Sequence, residues 1–567
     1  YITMRRQIRN VVGASALASM GGLYAWVEYK KDTDEGFRRA VRLYSVAGPV
    51  VVRYRLTEMK HGISFTRPET KAERDEDWNK LDQRYSSVIV DLLNELQGMY
   101  TKYGQTAAGL SNTFSQTWIE KLRTLEDACT PKSREVVERT VLEETGKNID
   151  DLFATFDEKP LGAASIGQVH RATLRDGREV AVKVQYPEAQ RLFRRDMETI
   201  RTFFRLFAPE QVIILDELSR SFEKEFDYRI EASNLNRVSR NLKRAGFVPR
   251  EAVVPRPFND LCTRRLLVME LLNGPKLYDG LRSYISVLAA NEGLTADEYE
   301  AIKRRQIEEE GMPEKYDGPS ASQIATYLRY MRLRDSVANM GIWIYNVLIG
   351  QWVQDGSMSY VSTVLPPNAP RVMDTLMRIH GHELLVDGVF NADPHAGNFL
   401  LLPDDRIGLI DYGSTKEISR EERLICCLMY AALARGDEDM IYDIAIAGGY
   451  KSKHMRKDII MKLTRLGYDT FGRDLIGNSN VQQFVDKLYA EDPYEEVADN
   501  LVMAQFLSIR LRSVGMQMGH PVVCSTYWAD IAEKALEDEG KPYEWWNLER
   551  LKENNSRGGG LRIAKGA

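Results

Sequence analysis

Cysteine is scarce in this sequence, with five in 567 residues (129, 262, 426, 427 and 524), and none stands in C-x-x-C spacing. Neither a disulfide framework nor a zinc site follows from that pattern, and a reducing compartment is the default. Surplus positive charge is lacking as well. Lys and Arg number 77 against 82 Asp and Glu, a net charge of −5, and no basic stretch is interleaved with aromatics as in single-strand binders. Nucleic acid is therefore not expected as a partner. The N-terminal region lacks a full membrane-length run: the uncharged stretch Val11 to Val27 stops about one residue short of the usual threshold. What remains is ordinary globular composition, 43% hydrophobic and 28% charged, in a chain long enough for two or more domains.

Short as it is, VVGASALASMGGLYAWV is rich in small residues that favour close helix packing in a bilayer. Arg5, Arg6 and Arg9 precede it, and Tyr24 and Trp26 stand at its far end as interface anchors. Residues 1–56 are accordingly read as a membrane-associated or membrane-spanning segment, the alternative being a buried or partner-docking helix. Arg38, Arg39, Arg42, Arg53 and Arg55 are spaced among apolar residues as in an interfacial helix, or as on a solvated basic face. Residues 57–150 read as a helical extension. A polar stretch runs to residue 80, then Val88, Leu92, Leu93 and Leu96 recur at helical spacing and lead into Lys102-Tyr103-Gly104-Gln105 at a helix end.

The chemistry concentrates in NADPHAGNFLLLPDDRIGLIDYG, from Asn391 to Gly413. Asp393, Asn398 and Asp411 follow the order and spacing in which a kinase catalytic-loop Asp meets the reacting oxygen, while the loop Asn and the Asp of D-F-G hold Mg²⁺ on ATP. Between them FLLL reads as a short buried strand, PDD as a turn and IGLI as the return strand. Upstream, GAASIGQVH (Gly162 to His170) precedes REVAVKVQYP, whose Lys183 ends a V-A-x-K strand and would reach the α- and β-phosphates. Gly162, Ala163, Ala164, Ser165, Gly167 and Val169 form the loop over the phosphates. Its backbone amides can cradle them, although the alanines are less permissive than glycine. Met269 then falls behind an adenine pocket, with Glu270, Leu271 and Leu272 offering backbone hydrogen bonds to the base before Gly274-Pro275 ends the hinge.

These parts in this order predict an α+β, two-lobed protein-kinase-like fold. A small β-rich lobe with its hinge occupies 151–275, a mostly helical large lobe 276–545, and a flexible tail 546–567. An insertion at about 285–365 exceeds what the large lobe requires. Within it SVANMGIWIYNVLIGQWVQ is uncharged from Ser336 to Gln354, but Asn339, Asn346 and Gln351 argue against a lipid-facing span. A large-lobe helix covered by the insertion is the expectation, with membrane or partner contact as the other reading. His380 and His382 lack a Cys or carboxylate cluster at ligand spacing and read as ordinary helix residues.

The spelling of these motifs resembles the UbiB or aarF-domain-containing atypical kinase-like family. Its marks are an Ala-rich loop (AASIGQVH here), an ADPHxGN catalytic loop (ADPHAGN), a Lys-x-Gly-Gln motif (Lys102 to Gln105) and a Glu-x-Asp motif (Glu225-Phe226-Asp227). The resemblance runs from residue 90 to 270 and again from 380 to 535. It implies that Glu231 pairs with Lys183, and that Lys102 and Gln105 form a lid over the cleft by meeting Glu225 and Asp227. One departure is AAGLSNTFSQTW, where the family usually carries an Arg-Pro-Asp type sequence after the lid motif.

The resemblance further implies ATP and Mg²⁺ as cofactors and an ATPase or small-molecule or lipid phosphotransferase. Such a protein supports isoprenoid-quinone (ubiquinone) or lipid metabolism at the mitochondrial inner membrane or, alternatively, a plastid membrane. Membrane lipids and a quinone-biosynthesis or other membrane complex are the implied partners. A nucleotide-binding scaffold with little turnover is the alternative function. An ordinary protein kinase is disfavoured, because no A-P-E sequence ends the activation segment.

Overall fold

The computed structural model describes residues 25–543, apart from 64–66, 69, 109–114, 128–130, parts of 208–221, 311–314, 317, 353–355, 363–366, 404–405, 478–480 and 497–498. The apolar run up to residue 24 and the tail from 546 lie outside the described residues. Among those described, no helix is long and apolar enough to cross a membrane.

The N-terminal extension opens with α1 (Glu35–Gly62), started by the Asp34 carboxylate accepting from the Phe37 amide. Next comes α2 (Lys71–Leu96), started by a reciprocal cap between Thr70 and Glu73. Gln97 and Gly98 sit in the left-handed region, at φ 53° and 59°, and break the helix. A new helix, α3 (Met99–Ala108), carries Lys102 to Gln105 in its interior, correcting the expectation of a helix end. Gly104 lies against α4 (Gln116–Asp127), where a Cβ would overlap Leu125 and press on Leu93. Two arginines of α1 are engaged by other elements of the protein. Arg39 pairs with Asp196 at 2.6 Å and Arg42 with Glu95 at 2.7 Å, so these two do not form the free basic face expected of an interfacial helix.

After α5 (Arg134–Thr145) the small lobe is an antiparallel sheet: β1 (Phe153–Phe156), β2 (Gly162–Ala163), β3 (Gly167–Leu174) and β4 (Glu179–Gln185). Helices α6 (Ala189–Phe207) and α7 (Tyr228–Arg244) follow, then β5 (Ala252–Val253) and β6 (Leu266–Glu270). The order is β1-β3-β4-β6, with β2 paired to β3 and Lys183 between Val169 and Leu267. The period of two in EVAVKVQ sorts the faces. Val180, Val182 and Val184 pack with Val137 and Val141 of α5, whereas Ala181 packs with Ala232 and Leu235 of α7. A third cluster joins the extension to the lobe: Leu43, Leu92, Leu96 and Met99 meet Phe193, Met197 and Phe226 and enclose Ile166, the tip of the Ala-rich loop.

The large lobe begins with α8 (Leu277–Asn291), α9 (Ala296–Glu310), α10 (Ala321–Leu348) and α11 (Ala369–His382). Its short strands are β7 (Val389–Asn391), β8 (Phe399–Leu401), β9 (Ile407–Leu409) and β10 (Thr415–Glu417). β8 and β9 form the expected hairpin, Phe399 opposite Leu409, and β7 pairs with β10 to bracket the loops between them. Helices α12 (Arg420–Arg435), α13 (Glu438–Ala447), α14 (Lys457–Tyr468), α15 (Asp499–Gln517) and α16 (Cys524–Asp538) build most of the rest. Their core centres on Trp528, whose indole N–H donates to the Met377 carbonyl at 2.7 Å.

One expectation is corrected here. The described part of the Ser336 to Gln354 stretch, up to Trp352, is not a large-lobe helix covered by the insertion; it is the outer half of α10 with the turn after it. Val337, Met340, Trp343, Ile344 and Leu348 are exposed there, and Trp352 is 80% exposed.

Candidate active site

Strand β4, helix α7 and the Asp-Tyr-Gly turn bring their charges to one cleft of about 340 Å³ between the lobes. Lys183 Nζ lies 2.9 Å from Glu231 Oε2 and 3.1 Å from Asp411 Oδ2. Its ammonium also sits 5.2 Å from the centre of the buried Tyr228 ring. Gly167 makes that approach possible, since a Cβ there would come within 2.6 Å of the Val184 carbonyl and 2.7 Å of the Tyr228 hydroxyl. Burial works to lower the Lys183 pKa, but Asp411 and Glu231 outweigh it and hold the amine well above its ordinary value. Burial and then the Asp411 charge push Glu231 up to about 7 against the pull of Lys183. For Asp411, burial is outweighed by Lys183 and the Gly413 amide, and its pKa is lowered.

Hydrogen bonds through two asparagines fix the loops. Asn391 donates to the Asp411 carbonyl at 2.9 Å and accepts from the Asp393 amide at 2.9 Å. Asn398 donates to the Asp393 carbonyl at 3.2 Å, and its own carbonyl accepts from the Ile410 amide at 3.2 Å. Beneath them, the Tyr412 hydroxyl donates to Glu383 at 2.7 Å and His380 Nδ1 lies 2.8 Å from the same buried carboxylate. His380 thus belongs to the support of the Asp-Tyr-Gly turn.

Asp393 is heavily countercharged. Arg510 of α15 comes within 2.7 Å of its Oδ1 as an ion contact without hydrogen-bond alignment, and Lys102 lies 3.9 Å from Oδ2. Burial alone would raise this carboxyl; Arg510, His395 and Lys102 hold it at about 2. Lys102 also binds Glu225 at 3.1 Å, and Ser414 donates to the other oxygen of Glu225 at 2.7 Å. Helix α3 is thereby tied to both the Glu-x-Asp segment and the Asp-Tyr-Gly turn.

Lys102, Gln105, Gly162, Ala163, Ala164, Ser165, Lys183, Glu225, Glu231, Asp393, Asn398 and Asp411 all line this cleft. Other expected residues are placed differently. Asp227 caps α7 and pairs with Arg229 at 2.6 Å, so it does not meet Lys102. Gln105 donates to the Leu125 carbonyl at 2.9 Å and so helps hold α3 on α4. Gly167 serves the strand packing described above, and Val169 packs against the core. Met269 is buried in that core, while Glu270 and Leu272 border a separate depression facing α10. The amides of Glu270 and Leu271 already donate to the carbonyls of Arg256 and Glu179, which removes two of the expected donors to a base.

Arg510, Tyr228 and Ser414 were not anticipated. Arg510 had a signal, as one of only two charges between Asn500 and Gln517.

The donor set fits a hard divalent cation beside a nucleotide. Asp411 offers a carboxylate, and Asn398, its amide nitrogen engaged, offers an oxygen. In the loop, the Ala164 amide donates to the Gly167 carbonyl at 2.7 Å, making a tight turn above Lys183.

A small antiparallel lobe over a helical lobe, with a strand lysine, a helix glutamate and two loop carboxylates at their junction, defines a protein-kinase-like fold. Within that class, the family model described as the ABC1 atypical kinase-like domain matches residues 124–307 and 344–445, and the chain belongs to this family. AarF domain-containing protein kinase 1 of Gallus gallus is 29% identical over 47% of this chain and 50% of its own length. The probable serine/threonine-protein kinase abkD of Dictyostelium discoideum is 23% identical over 92% of this chain and 65% of its own. The chloroplastic protein Activity of BC1 complex kinase 1 of Arabidopsis thaliana is 25% identical over 59% of this chain and 38% of its own. The chain spans about half the length of the first of these relatives.

Proposed function

We propose that this atypical kinase-type protein binds Mg²⁺-ATP between its lobes and either hydrolyses it or transfers the γ-phosphoryl group to a small or lipid-like acceptor. The observation that carries the reading is Lys183 held between Glu231 and Asp411 at 2.9 and 3.1 Å, opposite Asp393 and Asn398. In this reading Lys183 neutralises phosphate charge and Glu231 orients it. Asn398 and Asp411 hold Mg²⁺, which supplies charge neutralisation on the phosphates. Asp393, as a carboxylate of pKa about 2, is a weak base, so its role is to orient and polarise the acceptor. Lys102, across the cleft mouth, screens out bulky protein hydroxyls.

The family resemblance extends the reading to support of isoprenoid-quinone or lipid metabolism at an organelle membrane, mitochondrial or plastid. The countercharging of Asp393 by Arg510 and Lys102 favours one second reading, a nucleotide-binding scaffold of a membrane assembly with little turnover. Calorimetric titration with Mg²⁺-ATP and phosphate release with and without Mg²⁺ and lipid separate the two. Asp411→Asn is expected to abolish Mg²⁺-dependent binding, and unchanged affinity in that variant sinks the assignment. Tight binding with no phosphate release under any lipid condition selects the scaffold.

A further inference from the structure

The outer half of α10 is apolar nearly all round, and none of the described residues covers it. Tyr330, Leu333, Val337, Met340, Ile344 and Val347 form an exposed stripe at alternating spacings of three and four, each at least 43% exposed. Trp343 and Leu348 extend the apolar surface off that stripe, at 56% and 65% exposure. A coiled-coil seam needs only the narrow stripe, flanked by charges that choose the partner helix. Here the flanking positions of the outer half are Ser336, Gly341, Trp343 and Leu348, none of them charged. A helix apolar on all sides belongs in a protein core or in hydrocarbon.

The asparagines that argued against lipid contact have another occupation. Asn339 donates to the Val361 carbonyl at 2.8 Å and accepts from the Val361 amide at 2.7 Å. Asn346 does the same for Met358, at 2.9 and 2.7 Å. The two clamps match in register: seven helical residues rise roughly 10 Å and three extended residues span roughly the same. An extended strap is thus fastened along the helix, and the two asparagines and the backbone groups of Met358 and Val361 satisfy one another within the protein. Met358 and Tyr360 of the strap point outward, 52% and 57% exposed. From Val337 to Leu348 the helix rises roughly 17 Å, close to the depth of one hydrocarbon leaflet.

The inner end of the same helix carries the opposite chemistry. Arg329 and Arg332 enter a cavity of about 550 Å³ that Arg250, Arg371, Arg378 and Arg406 also line, against the carboxylates of Glu251 and Asp374. Arg378 is paired with both of those acids, and the lining as a whole holds six arginines against two carboxylates. Arginines sit one to three turns from the apolar tip, where the phosphates of a leaflet would lie when the tip is buried.

We infer that the outer half of α10 with its strap is a membrane-docking finger that inserts into one leaflet of a bilayer containing anionic phospholipid, with the arginine-lined cavity taking headgroup phosphate. The inference is independent of the chemistry proposed for the cleft. The full chain carrying Ile344→Cys labelled with the fluorophore NBD is mixed with vesicles of phosphatidylcholine, with or without phosphatidylglycerol, and unsubstituted protein taken through the same labelling serves as the blank. The expected result is a blue shift, quenching by lipids brominated on their acyl chains, and several-fold stronger binding to the anionic vesicles. Trp343→Glu with Leu348→Glu, both exposed, should lose the response with unchanged circular dichroism and Tm. Arg329→Ala with Arg332→Ala should lose the anionic preference.

Three outcomes overturn the finger: no shift with either vesicle; a label that stays in water while the protein floats with the vesicles; or a shift that grows with protein concentration without lipid, which marks a second copy as the occupant. Equal binding to both vesicles overturns the headgroup assignment.

Discussion

At Asp393 a carboxylate faces a guanidinium at 2.7 Å and an ammonium at 3.9 Å, and both cations come from elements a generic kinase core does not need in this place. Its folded-state pKa of about 2 lies below the ordinary value, so the group stabilises the fold above pH 4. That stability is lost as pH falls through about 2. The full contribution is about 2 kcal/mol, roughly halved at pH 3. Arg510→Met should therefore lower the calorimetric Tm more at pH 5.5 than at pH 3. An equal loss at both values would mean that Arg510 acts through packing and not through the Asp393 charge. Glu231 shows the opposite sign: burial and Asp411 hold it near 7, and only Lys183 keeps it partly ionised. Lys183→Met should leave Glu231 neutral at pH 7.5 and abolish Mg²⁺-ATP binding, measured by titration calorimetry. Retained affinity would detach the lysine from the phosphates.

In the proposed reading, helix α3 is the lid element. Lys102 is fastened to Glu225 at 3.1 Å, a partly buried charge-assisted contact worth about 1.5–3 kcal/mol, enough to keep a lid closed most of the time. Lys102→Ala should leave the Tm within a few degrees, since the helix keeps its packing on α4, while opening the cleft and changing nucleotide selectivity or autophosphorylation. Wild-type nucleotide affinity, hydrolysis and phosphorylation state together would reduce the motif to a packed helix. Gly104→Val probes the same element from its other side. The new side chain would meet Leu125 and Leu93, and overpacking of this kind costs about 1–3 kcal/mol. Its signature is a lowered Tm together with the open-cleft behaviour of Lys102→Ala; a lowered Tm alone would separate the packing from the lid.

Across the whole molecule, the extension, the Ala-rich loop and the small lobe share one apolar cluster with Ile166 inside it. The Ala-rich loop is therefore pinned at its tip, unlike a free flap. Ile166→Ala should cost about 2 kcal/mol or more and raise hydrogen exchange in 162–167 and in α3 together. Faster exchange in the loop alone would show that the extension is not coupled to it.

Much of this was legible in the residues. The β4 strand, the hairpin after Asn398 and the order of Lys183, Asp393, Asn398 and Asp411 are local matters of alternation, turn chemistry and spacing, which a sequence states directly. The two-lobed α+β class follows from the same parts in their order. What a side chain meets far along the chain is decided only when the elements pack. Asp227 stands two residues from Glu225, yet the start of α7 turns it to Arg229 and leaves Glu225 alone to hold Lys102. Arg510 reaches Asp393 across 117 positions of sequence, and the amides of Glu270 and Leu271 are engaged by the carbonyls of Arg256 and Glu179, pairings that no local pattern names. The same holds for α10. Its sequence shows an uncharged stretch with asparagines in it, and both a covered helix and an exposed one fit that composition. Which of them forms depends on whether other elements come to rest on the apolar face, and here the asparagines fasten a strap on one side while the described residues leave the rest of the surface open.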